Sequence, residues 1–214
     1  MLRLRGIRRS WGSRVVIDGA DLDLRPGTVA WVGGPNGIGK TTLLRVAAGL
    51  IVPDDGSVSL LELDPERDRR EYQRRLGWLS AGNGGVYNRL TVRQNLAYAA
   101  AISLVPRQRR GDAIDAVIEE FDLGSLAAKR ADRISMGERQ RLRLAMAFVH
   151  EPELVLLDEP HTSLDENGLD RLRMALSRLV ARGGAAIWCA PSREGVGVPA
   201  DDAFVIENGR LMPC

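Results

Sequence analysis

The segment GGPNGIGKTT, residues 33–42, has the composition of a loop that binds phosphate. It contains the pattern G-x-x-x-x-G-K-[ST], follows the apolar stretch VAWV and precedes LLRVAAGL, which has helical spacing. In such a strand–loop–helix unit, backbone N–H groups and the helix N-terminus surround phosphate oxygens. The lysine then reaches the β- and γ-phosphates, and the hydroxyl after it ligates Mg²⁺. We therefore predict that Lys40 binds phosphate and that Thr41 binds the metal. The predicted phosphate-binding residues are Gly34, Pro35, Asn36, Gly37, Ile38, Gly39, Lys40, Thr41 and Thr42.

A second segment, LVLLDEP at Leu154 to Pro160, places two carboxylates directly after an apolar run. Side chains alternate between the faces of a strand, but at the end of a strand both carboxylates can reach a phosphate site. We expect Asp158 to hold Mg²⁺ through water, and Glu159 to orient and polarise the attacking water. Glu159 is thus the predicted catalytic residue. The alternative is a solvated strand end, which the four apolar residues before Asp158 disfavour.

The elements that must position these segments alternate between strand and helix, which predicts an α/β fold with a mostly parallel sheet. The N-terminal strands favour an antiparallel β subdomain, in which LRLRG alternates like an edge strand. Near the other end of the chain, Asn208–Gly209 predicts a type I′ turn in a hairpin.

From about residue 88 to residue 150 the sequence has helical patterning, which predicts an inserted helical subdomain. Within it, Asp112 is the expected cap of a helix whose apolar face includes Ile114 and Val117. The core of the domain is then formed by about residues 1–87 and 151–214.

The phosphate loop, the helical insertion and the segment ISMGERQRLRLAMAFVHEPELVLLDEPHTSLD, at Ile134 to Asp165, together resemble the ATP-binding subunits of ABC transporters. The resemblance extends over nearly the whole chain. It implies a P-loop NTPase core and a single ABC ATP-binding domain over residues 1–214 that binds ATP with Mg²⁺.

The family signature, usually Ser-Gly-Gly-Gln, reads Ser135-Met136-Gly137-Glu138 in this chain, so that Met136 and Glu138 depart from it. In the family two subunits pair head to tail, and the signature of one caps the γ-phosphate of ATP held by the other. The resemblance therefore assigns Ser135, Gly137 and Glu138 to ATP binding across a dimer. A serine hydroxyl and a helix N-terminus suit that role physically.

Two further features gain a role from the resemblance. Ser163 and Asp165 lie in the family's D-loop, which couples the two ATP sites. Trp11 stands where the family has an aromatic residue that stacks on adenine, and tryptophan offers a large stacking surface. Ordinary packing is the alternative for Trp11.

Two side chains usual in the family are missing. Ala81 stands where a glutamine contacts Mg²⁺ and the attacking water, and Asn83 is the nearest polar substitute. Pro191 stands where a histidine contacts the γ-phosphate, and it lacks even a backbone donor, although Ser192 could contribute a hydroxyl. Because positioning and electrostatics carry most of phosphoryl transfer, we expect these losses to slow hydrolysis without abolishing it.

The remaining polar residues near these motifs have simpler interpretations. His150 is expected to be a cation at a helix C-terminus, and His161 a spacer in the D-loop. Arg139, Arg141 and Arg143 are expected to be solvated or to pack against neighbours.

The composition of the chain limits where the protein can be located and what it can bind. The chain has 214 residues, 44% of them hydrophobic, and a formal net charge of +2, which argues against binding of nucleic acid through a large basic field. Two cysteines, Cys189 and Cys214, form no disulfide framework and fit a reducing cytosol. The N-terminus lacks the apolar core of a signal peptide, and no run approaches a membrane span. We therefore expect a cytoplasmic protein, peripheral on the inner face of the cell membrane through a partner.

The expected function is that of a motor subunit, in which ATP closes two subunits, hydrolysis reopens them and the motion drives a separate transmembrane permease. Val86 to Ala101 is where the family docks that permease, and the loop before it resembles exporters more than nutrient importers. One alternative is a catalytically weak half of a heterodimer, because the glutamine and histidine are absent. Another is a soluble ABC ATPase without a membrane partner. The transported substrate stays open.

Overall fold

Strands and helices alternate through the middle of the chain in the computed structural model, which describes residues 1–193, 197–198 and 200–214. The strands are β1 (Leu2–Trp11), β2 (Arg14–Leu24), β3 (Val29–Gly33), β4 (Asp55–Leu60), β5 (Leu76–Leu79), β6 (Leu154–Asp158), β7 (Ala185–Cys189), β8 (Asp202–Glu207) and β9 (Arg210–Pro213). The helices are α1 (Lys40–Ala47), α2 (Arg69–Arg74), α3 (Val92–Ile102), α4 (Arg110–Glu120), α5 (Met136–Phe148) and α6 (Glu166–Ala181). Of these, the short helix α2 has no counterpart in the sequence prediction.

The N-terminal strands form an antiparallel sheet of three strands in the order β2-β1-β4. The segment LRLRG belongs to β1, which is the central strand, so the expectation of an edge strand is wrong. Leu2, Leu4 and Ile7 of β1 are fully buried, while the residues between them are exposed. This alternation arises because one face of the antiparallel sheet is buried, and it does not distinguish a central strand from an edge strand.

The larger sheet has six strands in the order β5-β6-β7-β3-β8-β9. All neighbouring strands are parallel except β9, which pairs antiparallel with β8. Asn208 and Gly209 join this last pair with φ angles of 49° and 79°, which confirms the type I′ turn. The fold is therefore the predicted α/β fold with a mostly parallel sheet.

The two faces of the larger sheet contribute to two different cores. Val29 and Trp31 of β3 pack on the side of α3, α4, α5 and α6, whereas Ala30 and Val32 pack on the side of α1 and the N-terminal sheet. This split follows from the alternation of side chains along a strand. Both faces are covered, so the carboxyl edge of the sheet is the place where loops can form a cleft, as is general for parallel α/β sheets.

Between residues 88 and 150 the chain forms α3, α4 and α5. Ile114, Val117 and Ile118 are buried on the predicted face of α4. The cap assigned to Asp112 is wrong, because the 3-10 turn Arg107–Arg109 leads directly into α4 and places Asp112 in the first helical turn. The limits of an inserted subdomain remain a prediction.

Candidate nucleotide site

The phosphate loop connects β3 to α1 through glycines in conformations that other residues rarely adopt. Gly37 has φ 78° and Gly39 has φ 127°. A Cβ on Gly39 would also lie 2.9 Å from Cγ1 of Val16, so only glycine fits there without displacement of its neighbours. Gly39 is the N-cap of α1 and supplies no side-chain hydrogen bond to the first turn. The N–H groups of that turn are therefore left for an anion.

Lys40 is only 5% exposed, and its Nζ donates to the carbonyl oxygens of Gly34 at 2.6 Å and Pro35 at 3.1 Å. These contacts hold the ammonium group against the loop. The side chain thus lies among the backbone groups that are predicted to surround phosphate.

Thr41 and Asp158 meet although they are 117 positions apart in the chain: Oγ1 of Thr41 donates to Oδ2 of Asp158 at 2.6 Å. Asp158 ends β6 and is only 2% exposed. A hydroxyl and a carboxylate oxygen are hard ligands that suit Mg²⁺, which typically takes one or two protein groups together with substrate phosphates. The residues present fit the predicted metal.

Glu159 follows β6 with φ 52°, in the left-handed region, and its N–H donates to the carbonyl oxygen of Cys189 at 2.9 Å. This backbone conformation interrupts the alternation of the strand. Glu159 consequently lines the same cleft, of about 390 Å³, as Lys40, Thr41 and Thr42. Left-handed non-glycine residues are strained and concentrate at functional sites.

Trp11 is 49% exposed and lines the outer wall of this cleft. The guanidinium of Arg9 lies 4.5 Å from the centroid of the Trp11 ring, and Arg9 is held by Oδ1 of Asp54 at 2.6 Å. Arg14 also lines the cleft, and its Nη2 donates to the carbonyl oxygen of Gly37 at 3.1 Å. Sequence reasoning missed Arg14, for which no motif gives a signal.

The signature residues form the start of α5, whose N-cap is Ser135 and whose first helical residue is Met136. Ser135 Oγ accepts from the N–H of Glu138 at 3.2 Å, and Oε2 of Glu138 accepts from the N–H of Ser135 at 2.7 Å. This capping box lowers the pKa of Glu138, chiefly through the bond from the Ser135 backbone. A Cβ on Gly137 would lie 2.9 Å from the carbonyl oxygen of Ser163, so the signature packs closely against the D-loop.

Asp165 caps α6, because its Oδ1 accepts from the N–H of Gly168 at 2.8 Å. Among the described residues, the lining of the cleft does not include the signature or D-loop residues, which are Ser135, Gly137, Glu138, Ser163 and Asp165. Within one chain, therefore, the two groups of predicted ATP-binding residues are not brought together.

The two departures from the family pattern lie in exposed segments. Ala81 and Asn83 are exposed in the loop after β5, and Pro191 is exposed directly beyond β7 and Ala190. Arg143, which was expected to be solvated or to pack, is buried and donates to Gly84 and Ser80 of this loop region. Sequence reasoning missed this contact.

The expectation that His150 is a helix-end cation is wrong. Helix α5 ends at Phe148, and Nε2 of His150 lies 3.0 Å from the carbonyl oxygen of Leu76, to which it donates. Burial lowers the pKa of His150 to about 4, so the ring is neutral near pH 7. Burial also lowers the pKa of His161, against an opposing effect of Glu159.

The parallel sheet with its phosphate loop, the Asp158–Glu159 strand end and the capped signature helix define a P-loop NTPase of the ATP-binding-cassette class. The chain belongs to the ABC transporter family, whose model matches residues 17–162. It is 33% identical over 207 residues to the daunorubicin resistance ATP-binding protein DrrA3 of Streptomyces coeruleorubidus, covering 97% of this chain and 65% of that protein. It is 29% identical over 191 residues to the ABC transporter ATP-binding protein NatA of Bacillus subtilis, covering 89% of this chain and 78% of that protein.

Solved structures of the class have the same fold. An ATP-binding subunit of an ABC transporter superimposes with a TM-score of 0.90 at 21% identity, covering 99% of this chain and 88% of that one. A dimeric ATP-binding cassette in a post-hydrolysis state, bound to ADP and phosphate, gives a TM-score of 0.85 at 19% identity, covering 99% and 96%. Within the described residues, no helix of this chain is long and apolar enough to cross a membrane.

Proposed function

We propose that this chain is the ATP-hydrolysing subunit of an ABC transporter and that it binds ATP with Mg²⁺ in the cleft beside the phosphate loop. One observation carries the proposal: Lys40, Thr41 and Glu159 line a single cleft, and Thr41 is hydrogen-bonded to Asp158. These residues come from two distant segments, and together they provide groups for the phosphates, for Mg²⁺ and for the attacking water.

In this proposal the exposed ring of Trp11 stacks on adenine, and the phosphate loop with Lys40 holds the β- and γ-phosphates. Thr41 and Asp158 hold Mg²⁺, which neutralises the charge that develops on the phosphates. Glu159 orients the attacking water and accepts its proton. The N–H of Glu159 donates to the carbonyl oxygen of Cys189 at 2.9 Å, which fixes the backbone from which the carboxylate extends.

We further propose that two chains pair head to tail, so that Ser135, Gly137 and Glu138 of one close over the ATP of the other. The separation of these residues from the cleft within one chain supports this, because they need a second copy in order to reach a nucleotide. The Ser135 Oγ accepts from the N–H of Glu138 in the capping box, and its hydroxyl also contacts the Glu138 carboxylate, so donation to a phosphate would replace that second contact.

A separate transmembrane permease is the proposed partner, with this chain at the cytoplasmic face of the membrane. The surface that supports it is formed by α3 and the segment before it, where Tyr98 and Tyr87 are 40% and 50% exposed. Their rings pack edge to face with centroids 4.7 Å apart, and the Tyr87 hydroxyl donates to that of Tyr98 at 3.0 Å. Exposed aromatic pairs of this kind are typical of protein interfaces. The near-neutral charge supports the absence of a nucleic-acid partner.

We propose export as the direction of transport, because the loop after β5 resembles that of exporters. The relatives include a daunorubicin resistance protein at 33% identity and a sulfate/thiosulfate import protein at 34% identity, so identity favours neither direction. The proposal of slow turnover, or of a weak half in a heterodimer, is supported by Ala81 and Pro191, which lack the usual amide and imidazole.

Phosphate release from the purified protein with Mg-ATP tests the proposal, with Glu159→Gln and Lys40→Ala as controls. We expect slow turnover, which falls by about 10²–10⁴-fold in Glu159→Gln, as for loss of a general base. ATP should still bind to Glu159→Gln but not to Lys40→Ala. Binding without turnover in the wild type would instead favour a silent half or a chain that needs its permease, and co-expression with a permease distinguishes these. Absence of ATP binding would contradict the proposal.

A further inference from the structure

The loop after β5, here called the glycine loop (residues 81–88), is hydrogen-bonded to α5 by two arginines. Arg139 donates to Oδ1 of Asn88 at 2.8 Å, at the end of the glycine loop. Arg143, one helical turn further on, donates through Nε to the carbonyl oxygen of Gly84 at 2.9 Å, in the middle of the loop. Hydrogen bonds thus connect the glycine loop to the helix whose N-terminus carries the signature.

Arg143 is buried without an opposite charge. It is 6% exposed, and Nη2 donates to the carbonyl oxygen of Ser80 at 2.6 Å and, at 3.3 Å, to its hydroxyl. Its acceptors within the described part of the chain are all neutral. Burial, with a smaller effect of Arg139, lowers the pKa of Arg143, although a guanidinium keeps its proton. A buried cation whose acceptors are neutral stabilises a fold less than an apolar side chain of similar size would at the same position.

Gln140 extends this contact towards the catalytic segment. It is 4% exposed, its Oε1 accepts from Nη1 of Arg143 at 2.7 Å, and its Nε2 donates to the carbonyl oxygen of Pro160 at 3.0 Å. Pro160 directly follows Glu159, whose own N–H is held by Cys189. A continuous chain of hydrogen bonds thus runs from the glycine loop through Arg143 and Gln140 to the residue next to Glu159.

We propose that Arg143 and Gln140 are positioning residues that make turnover at Glu159 depend on the position of the glycine loop. In this chain Ala81 offers no side-chain amide to the nucleotide, so the buried hydrogen bond from Gln140 to Pro160 provides the connection between the glycine loop and the catalytic segment. The proposal rests on the proposed function, since it concerns how the ATP site is regulated.

Steady-state hydrolysis by Arg143→Met, Gln140→Leu and the double variant tests this connection. Because a small misplacement of Glu159 affects chemistry rather than binding, we expect kcat to fall about tenfold in each single variant with KM nearly unchanged. The double variant should fall no further, because both changes break the same path. Arg143→Lys should recover only part of the loss, since an ammonium cannot reproduce the planar fork.

The matched control is Arg74→Met, an exposed arginine on α2 whose partner Glu71 keeps Arg75. It should leave kcat unchanged. Unchanged kcat in both Arg143→Met and Gln140→Leu, with the wild type active, would overturn the connection and leave the proposed function intact. If Arg143→Met does not fold, Gln140→Leu decides alone.

If the wild type binds ATP without turnover on its own, kcat cannot be compared, and hydrogen exchange then decides the present question separately. Arg143→Met should raise amide exchange in the glycine loop and also in residues 159–164, on the other side of Gln140. Raised exchange confined to the glycine loop would show that Arg143 only packs, and would refute the connection.

Discussion

The two edges of the parallel sheet differ in how their polar groups are used. At the carboxyl edge, Gly39 and Glu159 have φ angles of 127° and 52°, and Lys40 is buried against backbone carbonyls. At the amino edge, His150 is neutral and bonded to Leu76, and Arg75 pairs with Glu153 at 2.6 Å. Buried charge, at Lys40 and Asp158, thus lies where a ligand is expected, and substitutions at the two edges should have different consequences.

The largest effect is expected for Gly39→Ala at the carboxyl edge. An alanine there must adopt φ 127° and place its Cβ 2.9 Å from Val16 Cγ1, which together cost about 3 kcal/mol or more, or at least a hundredfold in ATP affinity. Titration calorimetry with Mg-ATP measures this loss of affinity. The matched control is Gly37→Ala, which has φ 78° but no atom within 4 Å of the new Cβ, so its loss should be smaller. Equal losses in the two variants would contradict the steric argument.

At the amino edge, His150 predicts a loss of stability in acid without an effect on ATP binding. Its pKa in the folded chain is about 4, below the ordinary value of 6.5. As pH falls, the unfolded chain therefore takes up a proton at His150 before the folded chain does. The stabilisation of the folded chain by neutral His150 is complete above pH 6.5 and is lost between pH 6.5 and pH 4. The loss reaches about 3 kcal/mol.

Urea unfolding of the wild type and of His150→Gln between pH 7.5 and pH 4.5 measures this contribution. Glutamine can keep the bond to the Leu76 carbonyl oxygen but does not titrate, so the difference in unfolding free energy between the two proteins should shrink or reverse as the pH falls. Parallel pH profiles would show that His150 does not titrate differently in the two states.

Gly77 of β5 is a close-packed glycine away from the expected ligand, and it allows a steric effect on stability to be separated from an effect on ATP binding. A Cβ at this position would collide with the carbonyl oxygen of Ala147, on α5. Gly77→Ala should lower the unfolding free energy by about 1–3 kcal/mol through overpacking. Thermal unfolding measures the loss, and KM for ATP should stay at the wild-type value. A raised KM with unchanged stability would contradict the division between the two edges.

The sequence predicts local structure well in this chain and long-range contacts poorly. The phosphate loop and the Asp158–Glu159 pair are short patterns whose strand and helix neighbours are also local, and the predicted α/β fold follows from them. Arg143 was missed because its partner Ser80 lies 63 positions away, and nothing in the α5 pattern distinguishes a buried arginine from a solvated one. His150 was misjudged for the same reason, since β5 buries it.

The smallest expected effect tests whether the departures at Ala81 and Pro191 limit turnover. Ala81→Gln with Pro191→His restores the amide and imidazole that the family usually has, and one added hydrogen bond in the transition state is worth about 0.5–1.5 kcal/mol, or roughly two- to tenfold in kcat. Ala81→Leu with Pro191→His is the control, because leucine has a similar size but no amide. If both double variants match the wild type, the missing side chains do not limit the rate of hydrolysis. The hydrogen bonds through Arg143 and Gln140 are then the better explanation of how the glycine loop affects turnover at Glu159.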